Sequence, residues 1–238
     1  MIITSLYKNI IRPFKINGEY FRYGKNFDGG YIINKDYIKN ITRLYAYGLA
    51  DDISFENQIL NENKHIIGHL YDHTIEKPND LAQNAHFHKE GLSLIKNDFC
   101  DNLFKHIENN NDINEKILLK IDVEGAELDY FNFTDMKLFS NVVQMVVEFH
   151  SNINFQKYIK SLIKINEYFY CCHLHGNNGG GALNIANQIY PDIIEFTFIN
   201  KKYINYQPIY NKRQYPIDNL DFPNLKDQKD FSIQFDYL

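Results

Sequence analysis

Acidic and imidazole side chains recur in this sequence where apolar runs end. Asp122 closes the run Lys116–Ile121, Glu148 and His150 close Val142–Phe149, and His173 and His175 stand at the end of the run that begins at Phe169. Residues two apart on an extended strand project to the same face, so Glu148 is grouped with His150 and His173 with His175. An imidazole near its ordinary pKa of ~6.5 suits the work of a general base. The same side chains also suit a divalent cation, with Asp122, Glu148, His150 and His175 as the ligand set, though this is the less favoured use. Neighbouring strands lie ~4.8 Å apart, which lets Asp122 and His150 share an ion. His175 joins them only if the glycine-rich loop after it folds inward. Half-buried histidines that make structural hydrogen bonds are the plain alternative at each position. His69, His73, His86 and His106 stand alone and carry no functional assignment.

Such residues need a scaffold that delivers several strand ends to one rim. The chain has 238 residues, 44% of them hydrophobic, with 18 Tyr and 18 Phe to fill a core. That length fits one domain over 1–238, with an N-terminal extension over 1–40, a core over 41–202 and a tail over 203–238. Tyr20–Ile33 reads as a hairpin turning at Asp28-Gly29-Gly30. Strands are predicted at Arg43–Tyr47, Ile66–Tyr71, His86–His88, Lys116–Ile121, Val142–Phe149, Phe169–Leu174 and Ile193–Ile199. Helices are predicted at Asp52–Asn63, Asp98–Glu108 and Phe155–Tyr168. Near-continuous apolar runs such as Lys116–Ile121 fit strands buried on both faces of a parallel sheet. Strand–helix alternation predicts a doubly wound α/β fold, whose ligands bind beyond the carboxyl ends of the strands.

Composition narrows the function. The 25 Lys and Arg against 30 Asp and Glu leave a net charge of -5 with no basic stripe, which predicts no nucleic-acid partner. Three cysteines, Cys100, Cys171 and Cys172, lack C-x-x-C spacing, so neither a disulfide scaffold nor a thiolate zinc site is expected. No apolar run reaches the ~18 residues of a membrane span. Met1–Phe14 holds Lys8 and Arg12 without an apolar signal-peptide core, so the expected location is the cytoplasm.

The glycine at Gly48, after the first core strand, lets backbone approach a ligand closely. The G-x-G-x-x-G fingerprint is absent, because position 50 is Ala and position 53 is Ile, which argues against a pyrophosphate-bearing cofactor. Asp72 ends the second strand, where an acidic side chain can accept hydrogen bonds from both hydroxyls of a ribose. Asn177 and Asn178 precede three glycines in a loop that can offer amide groups to sugar hydroxyls. The Tyr-rich tail (Tyr203, Tyr206, Tyr210, Tyr215) is expected to pack across the sheet edge, and Asp218–Asp230 reads as a solvated acidic surface.

The segment Lys120-Ile121-Asp122-Val123-Glu124-Gly125-Ala126-Glu127 resembles the hallmark of the FkbM-type S-adenosylmethionine-dependent methyltransferases. So do Phe27-Asp28-Gly29-Gly30-Tyr31, Gly48-Leu49-Ala50-Asp51-Asp52-Ile53-Ser54-Phe55-Glu56, Val147-Glu148-Phe149-His150, His173-Leu174-His175-Gly176-Asn177-Asn178 and Pro191-Asp192-Ile193-Ile194-Glu195. The resemblance implies a seven-stranded, mostly parallel class I methyltransferase sheet, Rossmann-like, and O-methylation of a sugar or natural product. It implies that Tyr47, Gly48, Ala50, Asp51, Ser54, Phe55, Asp72, Gly91, Leu92 and Asp122 hold the cofactor. Asp28, Glu148, Asn177 and Asn178 would face the acceptor. His150 is the first choice of base, with Asp122, His173 and His175 as further catalytic residues. The expected activity is methyl transfer from S-adenosylmethionine, leaving S-adenosylhomocysteine. The expected acceptor is a carbohydrate hydroxyl, on a nucleotide-activated sugar destined for surface or capsule polysaccharide. A metal-dependent hydrolase and a catalytically silent binding module remain as alternatives, and self-association into a homo-oligomer is left open.

Overall fold

The structure, a computed structural model, describes residues 2–235; the ends of the single domain and of the tail expected from sequence lie outside them. Helix α1 (Ile2–Ile11) precedes a hairpin of β1 (Tyr20–Tyr23) and β2 (Tyr31–Asn34) and a short α2 (Lys35–Ile38). Then come β3 (Arg43–Tyr47), α3 (Ser54–Glu62), β4 (Ile67–Tyr71), β5 (Ala85–His88), β6 (Gly91–Leu92), β7 (Cys100–Asp101) and α4 (Leu103–Asn109). The second half runs β8 (Ile117–Ile121), α5 (Ala126–Phe133), β9 (Val142–His150), α6 (Phe155–Tyr168) and β10 (Phe169–Gly176). It ends with β11 (Ala182–Ile185), β12 (Gln188–Pro191) and β13 (Ile193–Asn200). No helix among the described residues is long and apolar enough to cross a membrane.

Seven strands form one sheet in the order β10-β13-β9-β8-β3-β4-β5. Strands β3, β4, β5, β8 and β9 are parallel neighbours. Strand β13 is antiparallel to both β9 and β10, so β10 runs with the parallel set. From β3 the chain steps outward through β4 and β5, then returns to β8 on the other side of β3. Strand order therefore reverses between β3 and β8, and a crevice opens there beyond the strand ends. This is the doubly wound, Rossmann-like, seven-stranded sheet expected from sequence.

Pleating explains why both faces are apolar. Tyr45, Tyr47, Leu119, Ile121, Met145 and Val147 point to the face covered by α1, α4, α5 and α6. Leu44, Ala46, Leu118 and Val146 point to the opposite face, against Ile33 of the hairpin and Phe55 and Ile59 of α3. Each large side chain sealed this way is worth about 1.5–3 kcal/mol. The hairpin thus completes a layer that α3 alone leaves short.

Some boundaries move for local reasons. Helix α4 starts at Leu103, not Asp98, because Asn102 caps it by accepting from the Lys105 amide at 3.0 Å. The stretch before it is held as a turn by Asn97, which accepts from the Phe99 and Cys100 amides. Helix α3 starts at Ser54 because Asp52 accepts from its amide at 3.0 Å. Helices α1 and α5 and the β11–β12 hairpin are found only in the structure.

On the helix-covered face Tyr71 is sandwiched between His106 and His88, with ring centroids 4.2 and 4.3 Å away. His106 also meets the Tyr47 hydroxyl at 2.8 Å through Nδ1. Burial outweighs the pull of Asp101 and lowers the His106 pKa from 6.5 to about 4. Below pH 6.5 the unfolded chain takes up a proton that the folded chain refuses down to about pH 4. Stability contributed here is complete above pH 6.5 and is lost as pH falls through that window. Urea unfolding should show wild type losing about 2 kcal/mol from this group between pH 7 and pH 5. His106→Gln should lose correspondingly less, and an identical loss in the variant would refute the assignment.

Candidate active site

The crevice between β3 and β8 is a cleft of ≈ 270 Å³. Its floor is where two loops touch. Gly48 has φ 77°, and a Cβ placed there would lie 1.5 Å from the Asp122 carbonyl oxygen. Only glycine permits that approach. One wall is the Leu49–Asp51 loop, pinned by Asp72 at the end of β4. Asp72 Oδ2 accepts from the Leu49 and Ala50 amides at 2.9 and 3.1 Å. Its Oδ1 accepts from the amide and hydroxyl of Thr74 at 2.7 and 2.6 Å. Burial alone would raise its pKa, but these four donors lower it, so Asp72 stays ionised.

Gly48, Ala50, Asp51, Asp72, Gly91, Leu92, Asp122 and Asp28 all line this cleft. Tyr47 and Phe55, expected at the cofactor, do not. Pleating turns Tyr47 to the helix-covered face, where its hydroxyl meets His106. Phe55 is sealed edge-on against Tyr31, with centroids 5.2 Å apart. Ser54 serves the start of α3, donating to Asp52 and accepting from the Lys25 amide.

Lys120, Glu56, Tyr31, Glu124, His73 and Thr74 also line the cleft, and sequence reasoning did not assign them to it. Lys120 Nζ donates to the Gly48 carbonyl, lies 3.7 Å from Glu56 Oε1 and stands 5.3 Å over the Tyr31 ring. The missed signal was its spacing: Lys120 and Asp122 are two apart at a strand end and so share a face. Asp28, Asp51, Asp52, Glu56, Asp72, Asp122 and Glu124 face this single lysine among the described lining residues. Glu56 Oε1 and Asp122 Oδ1 are sealed from solvent and have no hydrogen-bond partner. Burial raises the pKa of both groups, against the pull of Lys120. A cleft so acidic, with Asp122 Oδ1 lacking any hydrogen-bond or ion-pair partner among the described residues, favours a cationic ligand.

Behind Asp122 the neighbouring strand brings further titratable groups. Ile121 pairs with Val147, so Asp122 and Glu148 follow at the same level. Tyr31 donates to Asp122 Oδ2 at 2.8 Å. Asn177 donates to Glu148 Oε2 at 3.1 Å. His150 Nε2 lies 3.1 Å from Glu124 and 3.4 Å from Glu148, and its Nδ1 lies 3.3 Å from Glu127. Burial would lower its pKa, but the Glu127 and Glu148 contacts push it up to about 10. Expected as a base of ordinary pKa, His150 is instead a charged imidazolium at neutral pH with no lone pair for a substrate proton. Glu148 shifts upward, through burial and then through the nearby Asp122 charge.

The other histidines expected at the site are held away from it. Glu195 of β13 pairs with Glu148 on one side and with His175 on the other, so a whole strand intervenes. His173 Nε2 lies 3.1 Å from Asp221, and His175 Nε2 lies 2.9 Å from Asp230. The stretch 218–230 is therefore no simple solvated surface. It is a strap whose acids satisfy two buried histidines. Asn178 serves the same strap, donating to the Leu225 and Gln228 carbonyls at 3.0 Å, and is not free for an acceptor. The strap reaches the cleft through Asn224, which donates to Asp28 at 3.1 Å. In the tail, Tyr215 is buried and Tyr210 stacks on Phe14, 4.5 Å between centroids.

Comparison with known proteins places this geometry in context. The model for the methyltransferase FkbM domain matches residues 19–177. Among solved structures, one match is a chain described as a ribosomal RNA methyltransferase from Plasmodium falciparum. It is 13% identical, with 68% of this chain and 87% of that chain covered and a TM-score of 0.37. No curated protein matches the chain.

Proposed function

The chain belongs to the FkbM methyltransferase family, and from that premise we propose an S-adenosylmethionine-dependent O-methyltransferase that acts on a carbohydrate hydroxyl. The acceptor in this reading is a nucleotide-activated sugar of a surface-polysaccharide pathway, handled in the cytoplasm. The observation that carries the reading is the acidic cleft at the β3–β8 reversal, with the unpaired Oδ1 of Asp122 set beside Gly48.

The residues present fit such a donor. S-adenosylmethionine supplies a methyl group on a positively charged sulfonium. Asp122 offers an unpaired carboxylate oxygen to positive charge, Glu56 adds an acidic group shared with Lys120, and Gly48 keeps that part of the wall free of side chain. Asp72 acts on the ribose side by fixing the Leu49–Ala50 amides, while Gly91 and Leu92 border the adenine side. Asp122 orders the junction of donor and acceptor, with Tyr31 locking its carboxylate. Holding nucleophile, methyl and leaving group in line supplies a large share of such a rate enhancement. Asp28 borders the acceptor side, with the buried Glu148–Asn177 pair behind Asp122. A sugar, rich in hydroxyls, matches that polar rim.

Thermal or urea unfolding with S-adenosylhomocysteine tests the reading. At about 100 times its dissociation constant the ligand should add about 2.7 kcal/mol. No stabilisation at millimolar ligand would overturn the donor assignment. Transfer of labelled methyl to a panel of nucleotide sugars then tests the acceptor class.

A further inference from the structure

We propose that Asp122, on the wall of the cleft, and Glu148 and His150, packed behind it, form a site for one divalent cation of the Mg²⁺ or Mn²⁺ kind. The site stands on its own geometry; the task assigned to the ion below rests on the methyltransferase reading. One ligand atom from each residue lies within 4.8 Å of the other two. Ligands about 2.1 Å from a shared ion stand ~3–4.2 Å apart, so the three side chains must draw inward to close on one ion.

Three observations point to an ion beyond the grouping itself. First, Asp122 Oδ1 is sealed from water and has no hydrogen-bond partner. Second, each ligand keeps one atom anchored and leaves another to face inward. Tyr31 holds Asp122 Oδ2, and Asn177 holds Glu148 Oε2. His150 Nδ1 lies 3.3 Å from Glu127, whose oxygens also accept from the Gly125 and His150 amides at 2.7 and 2.9 Å. Entry of the ion displaces the imidazolium proton from Nε2, and the carboxylate behind Nδ1 then holds the tautomer that presents Nε2 to the metal. Third, the charge is out of balance. Asp122, Glu124, Glu127, Glu148 and Glu195 gather around His150, while Lys120 is shared with Glu56, so a divalent cation would offset part of the excess. Two carboxylates and one imidazole, without thiolate, suit Mn²⁺ or Mg²⁺, with water or the acceptor completing the shell.

The ion gives the site a direct way to activate a sugar hydroxyl. Bound to the cation, the hydroxyl becomes more acidic. Its oxygen forms the new bond to the methyl carbon while the carbon–sulfur bond breaks and its electron pair returns to sulfur. The sulfonium becomes a neutral thioether. The hydroxyl proton passes to Glu124, whose side chain is 85% exposed, and from there to water.

The full chain, stripped by ethylenediaminetetraacetate and dialysed, is titrated with MnCl₂ by calorimetry and by electron paramagnetic resonance of free Mn²⁺. One Mn²⁺ per chain is expected. Glu148→Gln should weaken it at least tenfold, and Glu127→Gln, which alters the anchor behind His150 and no ligand atom, about tenfold. Circular dichroism confirms folding of each variant. If Glu148→Gln does not fold, Asp122→Asn takes its place. No uptake by wild type at millimolar Mn²⁺, or equal affinity in the folded ligand variant, overturns the site. S-adenosylhomocysteine stabilisation is measured on the same stripped protein. Uptake without that stabilisation supports the site and overturns the donor reading. Stabilisation without uptake overturns the site alone.

Discussion

Asp122→Asn is expected to lower methyl transfer about a thousandfold while leaving the fold intact, a barrier increase of about 4 kcal/mol. The amide keeps an oxygen for the Tyr31 hydroxyl, which donates to Asp122 at 2.8 Å, so the local packing has little reason to change. What disappears is the carboxylate oxygen that has no partner at Oδ1 on the wall of the cleft, which the proposed reading sets at the donor–acceptor junction. S-adenosylhomocysteine should still stabilise the variant, because the Asp72-held loop is untouched. Steady-state turnover and a ligand-shift experiment on the same preparation check both halves. Activity within tenfold of wild type would remove Asp122 from the chemistry.

Gly48→Ala tests the floor of the cleft. The backbone there has φ 77°, a region that costs an ordinary residue about 1–2 kcal/mol. The added methyl would also stand 1.5 Å from the Asp122 carbonyl oxygen, a backbone atom that cannot rotate aside. Strands β3 and β8 would have to part at their ends, breaking the Asp122 amide bond to the Tyr47 carbonyl, now 3.0 Å. We expect about 3 kcal/mol of lost stability in urea and no measurable response to S-adenosylhomocysteine. A variant with wild-type midpoint and normal ligand stabilisation would show that the loops do not need this contact.

How far the site could be read beforehand depends on the range of the interaction concerned. Asp122, Asp72 and Gly48 lie at the ends of apolar runs, and a doubly wound sheet brings such ends to one rim. Their arrival at the cleft is thus a consequence of local pattern plus a general rule of topology. Lys120 obeyed the same rule and was overlooked, since two-residue spacing from Asp122 already placed it on the same face. His150 differs. Its position at the end of β9 was legible, as was Glu148 two residues before it, but its raised pKa depends first on Glu127, which reaches it from α5. That helix has a short, weakly patterned sequence beginning after Gly125 at φ 102°.

Strand periodicity, polar strand ends and the Asp122 segment were enough to specify a wound parallel sheet, its rim and its family, because each is written in residues near one another along the chain. The protonation of His150, the capture of His173 and His175 by Asp221 and Asp230, and the turning of Tyr47 away from the cleft were decided by folding alone. Those acids lie 48 and 55 residues beyond the histidines they hold. A side chain's proton affinity and freedom are set by whatever surrounds it in space, and for these groups the surroundings come from distant parts of the chain.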